Sequence, residues 1–284
     1  MGRLFALLFA AGIVVGANAS ARAADLLLPP PPPIEPPPPL DFSGWYLRGD
    51  VGVGAQQISN WRFTLQPDAA TGLLPAGPVW NTNRSLADTA FAGGGVGYQF
   101  NNWLRFDLTG EYRIDAAYSA TNHFTFPGAG GATIYGFDQY AANLGTALFL
   151  ANGYADLGTW YGITPFVGFG IGAAFHNLSP LTDHGFGIAN GGFGTAAATS
   201  QTNFAWAAMA GLAFNVTPNL KLEVGYRYLD MGRITSNPII CNGTPCFRER
   251  HSFDIASNDI RVGFRYVIPS LIPVPPPPPL VRKY

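Results

Sequence analysis

The sequence predicts an all-β fold: an eight-stranded antiparallel transmembrane β-barrel with long extracellular loops and proline-rich disordered termini. Three observations predict it. Eight stretches alternate apolar residues with charged or small ones, each about 9–12 residues long, enough to cross a bilayer at a tilt. The connections between them alternate short and long. Charged residues make up only 12% of the 284 residues while aromatics reach 14%, and no apolar run long enough for a membrane helix follows the N-terminus.

The last stretch, Asn258 to Ile268, shows the pattern most cleanly. Ile260, Val262, Phe264, Tyr266 and Ile268 share one face; Asp259, Arg261, Gly263 and Arg265 share the other. Strand side chains alternate with period two. A face carrying both signs of charge, opposite an aromatic-rich face, suits a barrel that is apolar outside and polar inside.

From the beginning of the chain, residues 1–23 read as a secretory signal peptide. Arg3 supplies the charged start, Leu4 to Val15 the short apolar core, and Ala21-Arg22-Ala23 the cleavage site. Residues 24–41 follow as a proline-rich periplasmic linker. Pro29 to Pro39 cannot join a sheet ladder and fits a polyproline II spacer. The barrel is expected over 42–268. A second proline run, Pro275 to Pro279, lies in the tail 269–284.

The first strand is read over Gly44 to Gly54, with Trp45, Leu47, Val51 and Val53 opposite Arg48 and Asp50. The second, Ala90 to Phe100, sets Val96, Tyr98 and Phe100 against glycines. The third, Trp103 to Ile114, sets Leu104, Phe106, Leu108 and Tyr112 against Arg105, Asp107, Glu111 and Arg113. The fourth, about Gln139 to Ala151, is read with Leu144, Leu148 and Leu150 facing lipid. The fifth, Thr164 to Phe175, alternates Val167, Phe169 and Ile171 with glycines. The sixth, Thr202 to Phe214, puts Phe204, Trp206, Leu212 and Phe214 opposite Asn203, Ala205 and Met209. The seventh, Leu220 to Tyr228, puts Leu222, Val224 and Tyr226 opposite Lys221, Glu223 and Arg227.

Short turns near Asn101-Asn102, 158–162 and Thr217-Pro218-Asn219 alternate with long connections over 55–89, 115–138, 176–201 and 229–257. Short periplasmic turns and long outer loops are the outer-membrane arrangement. The expected location is therefore the cell outer membrane, with extracellular loops and both termini periplasmic. An even strand count returns both ends to one side.

Turning the charged faces inward gathers Arg48, Asp50, Arg105, Asp107, Glu111, Arg113, Lys221, Glu223, Arg227, Asp259, Arg261 and Arg265. Eight strands leave just enough room for side chains to fill the lumen. Buried charges there need partners, so the group reads as an ion-pair plug; a narrow anion-favouring solute path is the alternative. Asp107 and Glu111 lie about 13 Å apart along their strand, too far for a glycosidase pair. No catalytic site and no metal site or cofactor is expected. Net charge −1 gives no reason to expect nucleic acid.

Cys241 and Cys246 read as a disulfide in an exported chain rather than free thiols or half a metal site. All four histidines fall in the expected outer loops. His176, His184 and His251 would form a haem or metal site only if two loops fold together. Trp61, Trp80, Phe124, Phe126 and Phe186 would form either a contact surface or a packing cluster that orders the loops.

Ser43-Gly44-Trp45-Tyr46, the glycine-rich Gly95 to Tyr98, Glu223 to Tyr228 and Asp259 to Tyr266 resemble the small porin-like, opacity/OmpA-membrane-domain family of outer-membrane β-barrels, in its alphaproteobacterial surface-antigen branch. The resemblance covers roughly 42–268. It implies a structural or surface-interaction role, with a porin or a haem- or host-ligand-binding protein as alternatives. It implies contact with outer-membrane lipid and lipopolysaccharide. It also implies recognition by the barrel-insertion machinery through the last strand. The sequence departs from that family by continuing past its last strand. The proline-rich ends are expected either to space the barrel from the cell wall or to contact its peptidoglycan through Arg282 and Lys283.

Overall fold

The computed structural model describes residues 43–66, 77–187, 189, 191–242 and 248–269. The signal peptide, the linker, the proline run at 275–279 and Cys246 lie outside the described residues. The strands are β1 (Gly44–Gln66), β2 (Val79–Leu86), β3 (Thr89–Gln99), β4 (Leu104–Pro127), β5 (Thr133–Asp156), β6 (Ile163–Leu178), β7 (Leu181–Gly187), β8 (Phe193–Ala196), β9 (Thr199–Asn215), β10 (Leu220–Thr235), β11 (Ile240–Cys241) and β12 (Arg248–Val267). No helix among the described residues is long and apolar enough to cross a membrane.

Eight of these strands form a ring. β1, β3, β4, β5, β6, β9, β10 and β12 pair antiparallel in that order, and β12 pairs back onto β1. The seam runs from Tyr46 opposite Val267 to Gln66 opposite Arg248. Closure satisfies the backbone amides that an open edge would present to lipid. The short strands β2, β7, β8 and β11 attach to the ring strands or to one another at one end only.

The opposite end carries the tight connections. Asn101 Oδ1 accepts the backbone N–H groups of Trp103 (3.0 Å) and Leu104 (2.8 Å). Thr217 Oγ1 accepts those of Asn219 (3.3 Å) and Leu220 (3.0 Å). The turn between β5 and β6 reverses through Tyr161 (φ 52°) and Gly162 (φ 81°), a left-handed pair that favours glycine at its second position. Gly44 and Val267 emerge at this same end.

The expected sorting of the first, third, seventh and eighth stretches is observed. Along β12, Ile260, Val262, Phe264 and Tyr266 are exposed outward while Asp259, Arg261 and Arg265 are buried inward. Ile260 to Ile268 spans nine residues, about 30 Å along the strand, or roughly 20–25 Å of height at barrel tilt. That is the thickness of a lipid-facing band.

Two expectations are corrected. The fourth stretch is displaced and inverted. β5 crosses the band over Thr146 to Ala155, paired with Leu104 to Arg113 of β4. Leu144, Leu148 and Leu150 point inward and are buried, and Phe149 is the exposed outward residue. Leucine suits either lipid or a packed lumen, so periodicity cannot say which face it takes.

The four long connections are also largely strand rather than loop. β4 and β5 each run 24 residues and β1 runs 23. The pattern conceals this because its polarity reverses beyond the lipid band. Along β12 the apolar residues are outward at Ile260 and beyond, but inward at Phe253 and Ile255. Above the band the barrel behaves like a water-soluble one, apolar inside and polar outside. Bulges in β1 (Ser59/Arg62), β4 (Arg113/Ala116) and β10 (Asp230/Arg233) mark the change, adding local twist as such insertions do.

Candidate functional site in the barrel lumen

Layers of inward side chains line the lumen from the short-turn end upward. Arg265 on β12 donates through Nε to Glu223 (2.9 Å) on β10 and through Nη1 to Gln99 (2.9 Å) on β3. Arg105 on β4 donates through Nε to Asp156 (3.1 Å) on β5. Its guanidinium lies 4.0 Å from the centre of the Tyr154 ring and 4.9 Å from that of Phe166, a contact strengthened by desolvation. Lys221 lies half-buried on the same face as Arg265.

The next layer is centred on Arg48 of β1. It forms a fork on Asp50, with Nε at 2.9 Å and Nη2 at 2.7 Å. Its Nη1 donates to Asp107 (2.8 Å) and to the Tyr154 hydroxyl (2.7 Å). Tyr46 and Asn152 donate to the two oxygens of Asp107 at 3.0 and 2.7 Å. Each oxygen of the Asp50 and Asp107 carboxylates therefore meets a donor, which helps buried charge to be tolerated.

A third layer crosses the middle of the lumen. Asp259 accepts from Arg113 at 2.6 Å and from Arg227 at 2.7 Å. Glu111 accepts from Arg227 at 2.8 Å and from Arg113 at 3.2 Å. Both guanidinium groups lie about 5 Å from the Phe91 ring centre. Arg261 is buried on the same inward face, with its Nε alongside Gly225.

Above these layers the lumen becomes apolar. Leu144, Leu178, Leu229, Phe253 and Ile255 form a buried cluster. His176 sits beneath it, donating from Nε2 to the Met231 carbonyl (3.0 Å), with Nδ1 hydrogen-bonded to the Thr146 hydroxyl (2.9 Å). A second polar group lies at the long-strand end. Trp61 donates to the Tyr118 hydroxyl (2.9 Å), which donates to His251 Nδ1 (2.9 Å); His251 Nε2 donates to Glu249 (2.9 Å). Tyr140 (2.7 Å) and Asn122 also donate to Glu249. Asp138 and Asp183 lie near it. Burial, and then the Glu249 charge, push the Asp138 carboxyl up to about 7. Burial, with Asp138 and Glu249 nearby, pushes Asp183 up to about 8.

All twelve charged residues expected in the lumen lie on inward faces. Sequence reasoning missed Asp156, Tyr46, Phe91, Asn152 and Tyr154. Extending the fourth stretch to Asp156 would have found three of them, since Asn152, Tyr154 and Asp156 alternate. Tyr46 shares the parity of Arg48.

Two of the four histidines, His176 and His251, are buried in strands rather than placed in loops as expected, and the histidines do not gather. His176 and His251 are buried at different heights, and His184 is exposed on the outer face. No cluster of metal-ligating side chains occurs among the described residues. Cys241 is disulfide-bonded; Cys246 lies outside the described residues. Of the loop aromatics, Trp61 packs over the inner polar group, whereas Trp80 and Phe186 face outward.

A family model for the outer membrane protein beta-barrel domain matches residues 8–267. The chain belongs to this family. A relative in Brucella abortus, an uncharacterized protein, is 31% identical over 233 residues, covering 77% of this chain and 78% of its own. The outer membrane protein PagN of Salmonella typhimurium is 25% identical over 231 residues, covering 78% of this chain and 89% of its own. Among solved structures, the outer membrane protein OprG from Pseudomonas aeruginosa is similar at a TM-score of 0.47 and 13% identity. That match covers 80% of this chain and 97% of the other. The family places the protein in the outer membrane of a Gram-negative envelope.

Proposed function

We propose that the protein is a structural and surface-interaction barrel with a blocked lumen, and that it performs no catalysis. One observation carries this reading. Arg227 on β10 bonds Glu111 on β4, and these strands lie four places apart in the ring of eight, directly opposite each other. The ion pair therefore spans the bore. Arg105 and Glu223 repeat the span nearer the short-turn end at 3.4 Å. The carboxylates of the three charged layers accept from arginine, which leaves none of them placed to act as a general base.

In this reading the short-turn end and both termini face the periplasm, and the extended strands stand outside the cell. Short turns at one end and long strands at the other support that placement, and outward aromatics mark the two edges of the lipid band. Trp45, Phe100, Trp103 and Tyr266 ring the short-turn edge of the apolar band, and Tyr112, Phe204 and Tyr226 the other, as in the girdles of membrane barrels. The lipid and glycolipid of the outer membrane are then its immediate neighbours. The last strand would be read by the insertion machinery, and the proline-rich ends would meet peptidoglycan.

Planar-bilayer recording of the purified protein tests the block. The expected result is no large steady conductance. A reproducible nanosiemens-scale channel would defeat it. An epitope inserted at the Ala129–Gly131 turn, detected on intact cells, tests the orientation.

A further inference from the structure

The outer wall of the long-strand end carries an ordered row of rings. Trp80 on β2, His123 on β4, Phe137 on β5 and Phe186 on β7 are direct partners across three successive strand pairings. Their rings stack in sequence. Centroids are 5.9, 5.4 and 4.9 Å apart, with interplanar angles of 18°, 27° and 11°. Van der Waals contact between parallel rings needs only about 3.5 Å, so the rings are offset like roof tiles and part of each face stays open. Trp80 keeps 41% of its surface exposed and Phe186 37%.

The row beneath is of another kind. Asn83, Thr121, Gln139 and His184 are likewise paired partners facing outward, two residues nearer the lipid band on β4, β5 and β7. No Asp, Glu, Lys or Arg occupies an outward position between Ala117 and Thr125 of β4 or between Tyr135 and Ala141 of β5. Rings above and hydrogen-bonding amide, hydroxyl and imidazole groups below suit a ligand with a C–H face and hydroxyl edges. They do not suit phosphate, which takes arginine or lysine.

The position narrows the occupant. His123 is nine residues beyond Ile114, the last outward apolar residue of the β4 band. That is about 30 Å along the strand and roughly 20–25 Å of height at barrel tilt. The wall faces sideways, so its neighbour is whatever stands upright on the same membrane surface. We infer that the Trp80–His123–Phe137–Phe186 ladder and the amide row beneath it bind neutral sugar units of the saccharide borne by the outer-leaflet glycolipid. This rests on the orientation proposed above, which the surface epitope tests separately.

The test uses the full mature chain refolded in nanodiscs and titrated with delipidated, dephosphorylated lipopolysaccharide saccharide. Saturable binding is expected, insensitive to added salt. The W80A/F137A variant should bind about tenfold more weakly or worse while keeping the strand circular dichroism and heat-modifiable migration of the folded barrel. Thr121→Lys, which leaves the rings intact but places a charge in the amide row, should also weaken binding. Equal binding by wild type and the folded ring variant overturns the inference. So does an absence of saturable binding by the wild type. A wild-type dimer that the ring variant converts to monomer, without saccharide binding, would reassign the ladder to contact between copies of the chain.

Discussion

Arg227 reaches across the full bore of the barrel to Glu111, with both carboxylate oxygens accepting from its Nη2 at 2.8 Å. The same guanidinium bonds Asp259 through Nε at 2.8 Å. One side chain thus ties β10 to the opposite strand β4 and to its neighbour β12. Breaking the pair leaves an uncompensated buried charge. Glu111→Ala should therefore lower stability by about 3–5 kcal/mol in urea unfolding from lipid vesicles. Replacing both partners, E111Q/R227Q, should cost less than the sum of the single changes. Additive costs would show that the pair does not couple the strands.

The plug has a corresponding loss-of-block prediction. Removing the middle layer with E111A/R113A/R227A/D259A should leave the wild-type bilayer silent and give the variant discrete conductance steps. A silent variant that is properly inserted would assign the block to the Arg105–Glu223 layer or to the apolar layer of Leu144, Leu229 and Ile255 instead.

The polar group at the long-strand end should respond to pH. Asp138 and Asp183 are raised to about 7 and about 8 in the folded chain, against about 4 when unfolded. The folded state therefore holds their protons more tightly. The stability these two carboxyls contribute is greatest below pH 4, declines as pH rises through the interval to about 8, and is level above that. Amide exchange in β5 and β7 should accelerate over this range. The D138N/D183N variant should lose that dependence, and an unchanged slope would remove these two carboxyls as its source.

Glycine at position 97 admits the Tyr46 ring. A Cβ there would collide with the Tyr46 phenol and with the Phe106 carbonyl. Gly97→Val should push Tyr46 away from Asp107 and cost about 1–3 kcal/mol, as overpacking does. The same substitution at Gly94, where the only near atom is the Arg48 carbonyl at 3.1 Å, should cost less. Urea unfolding of both variants checks the ranking.

Depth should govern the outward face. Phe264 lies at mid-band and Asn258 just beyond the band. Phe264→Arg should destabilise the inserted barrel by about 2–4 kcal/mol, and Asn258→Arg by about 0–1. Equal costs would displace the lipid band from where the exposed apolar side chains put it.

Much of this architecture is written in the alternation itself. Where a stretch sets charge against aromatic residues, as in Arg105-Phe106-Asp107-Leu108, only one face can meet lipid, so strand, face and register parity follow from the residues. Parity failed at Leu144, Leu148 and Leu150, because leucine is at home both in lipid and in a packed interior. It failed again beyond the band, where Phe253 and Ile255 turn inward and the polar residues outward. A fixed-polarity pattern reads such a stretch as loop.

The sequence alone determined that charges of both signs line the inside of a lipid-spanning cylinder, since neither could face hydrocarbon. It could not determine which charge meets which. Glu111 and Arg227 are 116 residues apart in the chain and become neighbours only when closure sets their strands opposite each other. The ring row of Trp80, His123, Phe137 and Phe186 likewise exists only through the register of four strands. Pairing across a closed sheet depends on stagger and curvature, which no local run of residues encodes.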